Sequence, residues 1–317
     1  MNTNIQPQKL HSKNIGDFIF KNLTLFFAIF ILIIIVLMVY EMYSSSAVSR
    51  EKFGLSFLTQ SVWDPVQEEY GALPFIYGTL VSSFLALLIA LPLSIGIAIF
   101  LSEIAPRWLE KPLSFFIELL AGIPSIVYGL WGFFVMVPWL RENVQPFLIE
   151  NFGNIPLFTG APYGVGMLAA GIILSIMILP IISSISRDVL KTVPRAQKEA
   201  ALALGSTRWQ ATKIALSYSR SGIIGAIILG LGRAFGETMA VTMVIGNRPT
   251  ISASLLEPAY TMASVIANEF TEATSEMYLS ALIEIALVLF VIALIINSFA
   301  RLLVWSVTKH SDVQGKM

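Results

Sequence analysis

Leu23 to Tyr40 is an almost unbroken apolar run, and five further runs of similar character follow it. In hydrocarbon no water is present to satisfy backbone N–H and C=O groups, so a chain with such runs folds as helices or as a closed barrel. Runs near 20 residues match an α-helix crossing a bilayer of about 30 Å. Six transmembrane helices are expected, at about 20–41, 74–101, 114–140, 164–186, 222–246 and 279–305. A 1–19 tail precedes them and a 311–317 tail follows. Of the 317 residues, 56% are hydrophobic and 13% charged, which is the balance of an integral membrane protein. The first run is also compatible with a signal peptide cut near Ala47-Val48-Ser49. Its apolar core exceeds the about 7–15 residues usual for one, so an uncleaved anchor is expected.

Basic residues set the orientation. With the N-terminus inside, fifteen Lys and Arg fall on inner segments and four on outer ones (Arg50, Lys52, Arg141 and Arg248). Both termini are therefore expected in the cytoplasm. Formal net charge is zero, so no nucleic-acid partner is implied. Cysteine is absent, and the two histidines lie in the tails at His11 and His310. Thiolate metal sites, disulfides and Cys or Ser–His–acid catalysis are excluded, and no metal or cofactor is expected. No G-x-x-x-x-G-K-[ST] motif is present, so any ATP hydrolysis belongs to another chain. No internal repeat is evident, which weighs against a carrier working alone.

Two charges sit where charge is costly. Gly230 to Val241 reads GLGRAFGETMAV and puts Arg233 and Glu237 within the fifth span. A charge at the centre of a membrane helix costs about 2.5–3.5 kcal/mol on insertion scales, and such residues mark function by default. On a continuous helix, residues four apart share a face and pair. Arg233 between Gly232 and Gly236 offers a planar fork of donors suited to an oxyanion. The alternative is a mutually neutralising pair that fixes helix packing. Glu118 and Glu284 are the other acids within spans, reaching water at an interface or a partner on another helix. In the third span, Gly122, Pro124, Ser125 and Gly129 make a broken helix lining a pathway the expectation, against ordinary small-residue packing. Pro92 and Pro180 fit packing better.

The long inner loop, 187–220, reads as helix, glycine turn, helix. Pro194 suits a first turn, Gly205 a helix end, and Ser206 or Thr207 the cap of a second helix near Arg208. Within it, EAALALG (Glu199, Ala200, Ala201 through Gly205) resembles the EAA-x-x-x-G loop of permease subunits of ATP-binding-cassette importers. Where that family continues to I-x-L-P, this chain has Ile214-Ala215-Leu216 and then Ser217. GALPFIYGTLVSSFLALLIALPLSIGIAIFLSEIAP, ELLAGIPSIVYGLWG and GLGRAFGETMAV are similar to the PstC-type permease family of phosphate importers. The resemblance implies an all-α integral membrane protein with the six-helix type I importer permease (MetI-like) fold, in a bacterial inner membrane. It implies a second permease subunit in a heterodimer, two copies of a cytoplasmic ATP-binding subunit docked on the EAA loop, and an extracytoplasmic phosphate-binding protein. Membrane lipid surrounds the bundle. Residue chemistry leaves sulfate and molybdate open, since each is a tetrahedral anion. An ion-coupled carrier working alone would have no use for the EAA loop, and the buried charge pair and broken third span weigh against a membrane scaffold or sensor.

Overall fold

The computed structural model describes residues 15–314; Lys9, His11, Lys13 and Lys316 lie outside them. The first run forms α1 (Ile15–Ser45), longer than the expected span by several residues at its start. Within its first half Thr24 Oγ1 donates to Phe20 O at 2.8 Å, which removes the cost of a bare polar group in an apolar helix. After a turn at Ser46 come α2 (Ala47–Phe53) and the 3-10 turn Gly54–Leu58. A small ribbon follows, β1 (Trp63–Asp64) against β2 (Glu69–Tyr70), antiparallel with Trp63 opposite Tyr70. This ribbon and an isolated parallel bridge between Gly246 and Ala259 are the β pairings among the described residues of an otherwise helical architecture. Asp64 Oδ1 accepts from the backbone of Val66 and Gln67 and closes its turn.

The second span is α3 (Leu73–Ile99), which runs through Pro92 and ends in a π turn at Phe100–Ile104. The third span is broken as expected. Helix α4 (Arg107–Ala121) stops at Gly122, and the chain turns by 92° before α5 (Ser125–Trp131). Pro124, with ψ at 140°, is the cap of α5, and Pro at that place bars Ile123 from helical geometry. From α5 the chain continues as α6 (Val137–Trp139) and α7 (Gln145–Phe152), joined by π turns. The fourth span is α8 (Met167–Lys191), and Pro180 does not interrupt it. The loop contributes α9 (Arg195–Ala203), with Pro194 at its cap position. Next are α10 (Arg208–Gly236), α11 (Met239–Val244) and α12 (Met262–Glu269). The last helix, α13 (Glu276–Gln314), extends past the expected boundary at 305.

By length and composition, five of these helices are fit to cross a membrane, and the bent α4–α7 segment brings the number to six when it is counted as one span. Helix α8 is the hub. Its Ile173, Leu174, Ile178 and Ile182 are fully or almost fully buried. Ala86 and Ala90 of α3 belong to the same core, their small side chains allowing the two backbones to approach. A second cluster at one end joins Phe57, Tyr70, Phe75, Tyr260 and Tyr278. Trp63 completes it edge-on to Tyr70 and Phe75 at 4.8 Å and donates Nε1 to Glu269 Oε2 at 2.8 Å. The acidic hairpin around Trp63-Asp64-Pro65 is thus anchored by its tryptophan rather than merely solvated. Helix α1 leans on α13, and its other faces are open, as a helix bathed in lipid requires.

The sequence boundaries need one correction. The helix expected at 222–246 and the second loop helix expected near Arg208 are not two helices. Both are one helix, α10, which begins at Arg208 and ends at Gly236. The position where the importer family's I-x-L-P motif has proline is Ser217 here, so nothing removes a backbone donor and the helix runs on.

Candidate functional site at the two ends of α10

Two groups of predicted residues lie at opposite ends of α10. At its start, Thr207 is a full cap: its Oγ1 accepts from Gln210 N, and the Gln210 side chain accepts from Thr207 N at 2.7 Å. Just before it, α9 closes with Gly205 at φ +84°, where Gly205 N donates to Leu202 O and Ser206 N to Ala201 O. That double bond pattern ends a helix sharply and favours glycine. Of the motif residues, Ala201 is buried against the bundle, while Glu199, Ala200 and Gly205 face outward. Leu202, Leu204 and Trp209 are exposed beside them, Leu204 at 88%. An apolar hairpin tip of this kind on an otherwise polar connection is an interaction surface.

The hairpin is tied back by charge. Lys198 Nζ pairs with Glu103 Oε1 on the π turn ending α3, and both side chains are mostly buried. Beside this pair a cavity of about 540 Å³ lies between Ile99, Glu103, Leu202 and Trp209. On α8, Arg187 is 7% exposed and donates from Nη2 to Glu118 Oε1 on α4 at 2.9 Å and to Asp188 Oδ1 at 2.8 Å. Lys191 pairs with Glu110 of α4. Glu118 therefore both reaches solvent and finds a partner. The partner lies 69 residues away, beyond what local spacing reveals.

At the far end of α10, about 37 Å along the axis at 1.5 Å per residue, stands Arg233. Its Nε is buried and has no hydrogen-bond partner. The expected Arg233–Glu237 pair does not form. The helix ends at Gly236 and the backbone is extended at Glu237 (φ −72°, ψ 125°), so the i, i+4 face does not exist. Glu237 Oε1 instead accepts the Ala240 backbone N–H at 3.3 Å, at the start of α11, where a carboxylate complements free N–H groups. A Gly followed two residues later by Thr was the available signal for that break.

The broken third span comes to the same place. Helix α5 packs on α11, and a Cβ on Gly129 would lie 2.6 Å from Met243 Sδ and 3.0 Å from Ala240 Cα. Tyr128 lies within electrostatic range of Arg233 and donates its hydroxyl to Leu120 O at 2.8 Å. It adds a side-chain donor to a carbonyl at the break that also accepts from Ile123 N, and the sequence reading did not single it out. Ser125 opens α5 directly after Pro124. Gly232 and Gly236 flank Arg233 on an open face. A Cβ on Gly236 would meet nothing within 4 Å, and one on Gly232 only Asn297 Oδ1 at 3.9 Å. Two interrupted helices thus converge on a cation that has no carboxylate within ion-pair distance among the described residues. Unwound backbone at membrane depth is tolerated where protein or a water-lined cavity covers it.

A family model described as "Binding-protein-dependent transport system inner membrane component" matches residues 90–309. The chain belongs to this family. It is a multi-pass inner-membrane protein whose match covers the hairpin, the break at Gly122–Pro124 and Arg233. Among curated relatives, the phosphate transport system permease protein PstC of Pasteurella multocida is 50% identical over 301 residues, covering 93% of this chain and 94% of that one. PstC of Mesorhizobium japonicum is 50% identical over 90% of this chain and 89% of its own length. A probable PstC of Methanocaldococcus jannaschii is 41% identical over 90% and 92%. Solved structures share the fold at low identity. A chain of the bacterial alginate ABC transporter aligns with TM-score 0.58 at 17% identity over 91% of this chain and 96% of its own. A chain of the inward-facing MetNI methionine transporter aligns with TM-score 0.52 at 18% identity over 73% and 91%. The likeness places this chain within the type I importer permease fold expected from its EAA loop.

Proposed function

We propose that this chain is a permease subunit of an ATP-driven importer that moves inorganic phosphate by alternating access. The observation that carries the substrate is its 50% identity, across nearly the whole of both chains, to a relative named as a phosphate permease. Its working partners on this reading are a second permease subunit, two cytoplasmic ATPase subunits and an extracytoplasmic phosphate-binding protein. The N- and C-termini face the cytoplasm, in keeping with the basic residues gathered at the hairpin end.

The chemistry of the passage rests on Arg233. A half-buried guanidinium with an unbonded Nε and no carboxylate partner among the described residues attracts a phosphate oxyanion through charge-assisted hydrogen bonds. It does not trap the ion, because conduction needs a site weak enough to release what it binds. Gly232 and Gly236 keep the approach free of side chains, and Glu237 holds the turn at which Arg233 stands. The break at Gly122, Pro124 and Ser125, with Gly129 beyond it, supplies the other wall.

Drive enters at the other end of the same helix. The ATPase docks on Glu199, Ala200, Ala201 and Gly205 with the exposed Leu202 and Leu204. A shift of the hairpin passes into α10 through the Thr207 cap and into α3 through Lys198–Glu103. Because α10 is continuous, a tilt at Arg208 displaces Arg233 without a hinge between them.

The test is phosphate uptake by Arg233→Gln in membranes containing the complete complex. Uptake is expected to be lost while the subunits still copurify. Wild-type uptake would discard the arginine as the anion contact, and equal uptake of sulfate by the native complex would discard phosphate selectivity.

A further inference from the structure

Opposite the coupling hairpin, a cavity of about 550 Å³ opens between α2, the Gly54–Leu58 turn, α3 and α13. Its wall is apolar, formed by Leu55, Leu58, Ile76, Val288, Val291 and Ile295. Two charged residues interrupt it, Arg50 and Glu284. Glu284 is 5% exposed, and its Oε2 has no hydrogen-bond partner. The Ser49 hydroxyl and Arg50 lie close enough to act on the carboxyl group, yet Ser49 Oγ is also buried without a partner. Ser49 N donates to Ser280 Oγ at 3.0 Å, one turn before Glu284, so α2 is pinned to α13 at this level. Arg50 has donors in use, Nη2 to Tyr43 O at 2.6 Å and Nε to Ser46 Oγ at 3.1 Å, with its guanidinium 3.6 Å over the Tyr43 ring. None of these groups serves the hairpin or the Arg233 region.

A buried carboxylate oxygen without a donor calls for a compact cation that carries N–H groups. The remaining donors of a guanidinium suit a phosphate oxygen. A metal ion is a poor occupant, because among the described residues no three acidic or histidine side chains gather to hold one. Below Glu284 the trough follows α13 to Ile295, about 16 Å at 1.5 Å per residue, with apolar residues on its face. That length suits an acyl chain. An ammonium, a phosphate and an acyl chain are the parts of one molecule.

We propose that this cavity is a binding site for a phospholipid with a primary-amine headgroup, of the phosphatidylethanolamine type. The ammonium donates to Glu284, the phosphate sits beside Arg50, and one acyl chain fills the trough along α13. The lipid joins the α1–α2 elbow to α13, where α1 has little other support.

The test is native mass spectrometry of the complex released from liposomes holding equal phosphatidylethanolamine, phosphatidylcholine and phosphatidylglycerol. Phosphatidylcholine carries the same charges but no N–H donor, so retention of phosphatidylethanolamine is expected to exceed it on the order of tenfold, the size of a charge-assisted hydrogen bond. Glu284→Gln brings that ratio close to one. Val291→Trp, which fills the trough and leaves both charges, removes the retained lipid whatever its headgroup. Equal retention of the three lipids, or a preference unchanged in Glu284→Gln, would mean ordinary boundary lipid and overturn the site. So would a photocrosslinker at Leu55 that captures only protein.

Discussion

Lys198, one residue before the EAA motif, forms an ion pair with Glu103 at the end of α3, 95 residues earlier in the chain. The side chains are 21% and 14% exposed, so neither charge is freely hydrated once the other is removed. Lys198→Met alone leaves Glu103 without its partner, at a cost of about 1–3 kcal/mol. The expected result is a lower melting temperature and ATP turnover no longer tied to uptake. Exchanging the two charges, with Lys198→Glu and Glu103→Lys together, should recover part of both. Uptake per ATP measured across the four combinations checks this.

A hydroxyl bridges the elbow after α4, from Tyr128 to Leu120 O. Tyr128→Phe keeps the ring but removes the donor to Leu120 O, and should cost about 1 kcal/mol. Because the chain has no cysteine, spin labels can be placed on single engineered cysteines on α4 and α7. The distance distribution between them is expected to broaden in Tyr128→Phe, and an unchanged width would show that packing alone holds the bend.

Gly205 occupies a backbone conformation that L-residues adopt at a cost of roughly 1–2 kcal/mol. Nothing lies within 4 Å of its Cβ direction, so Gly205→Ala separates backbone strain from any clash. The expected outcome is weaker ATPase copurification from normally inserted chain. Gly205→Asn, which tolerates the left-handed region, should bind more ATPase than Gly205→Ala.

Two glycines with opposite surroundings give a paired test. Gly129→Ala forces a methyl onto Ala240 and Met243 and should destabilise the isolated chain by about 1–3 kcal/mol. Gly236→Ala meets nothing within 4 Å among the described residues, so its melting temperature should hold or rise. Loss of uptake in Gly236→Ala with melting unchanged would assign that face to the passage or to the second permease subunit.

The elements legible in the sequence were those with local causes. Apolar run length marked out the spans, proline after glycine marked the bend at Gly122–Pro124, and Gly205 with Thr207 marked the hairpin turn. These rest on backbone chemistry within a few residues. The Arg233–Glu237 pair was misread because helical spacing was extended past Gly236, and one extended residue at Glu237 turns its side chain to a different task.

By itself the sequence determined a helical membrane chain with a hairpin closed at Gly205 and an arginine set in an apolar run, because hydrophobicity and backbone propensity act locally. Only the tertiary structure decided that hairpin and arginine share one unbroken helix, and that Glu118 meets Arg187 and Lys198 meets Glu103. It also decided that Glu284 is shut into an apolar trough. Those facts depend on which helices pack together, and burial of a charge beside a distant partner leaves no periodic trace along the chain.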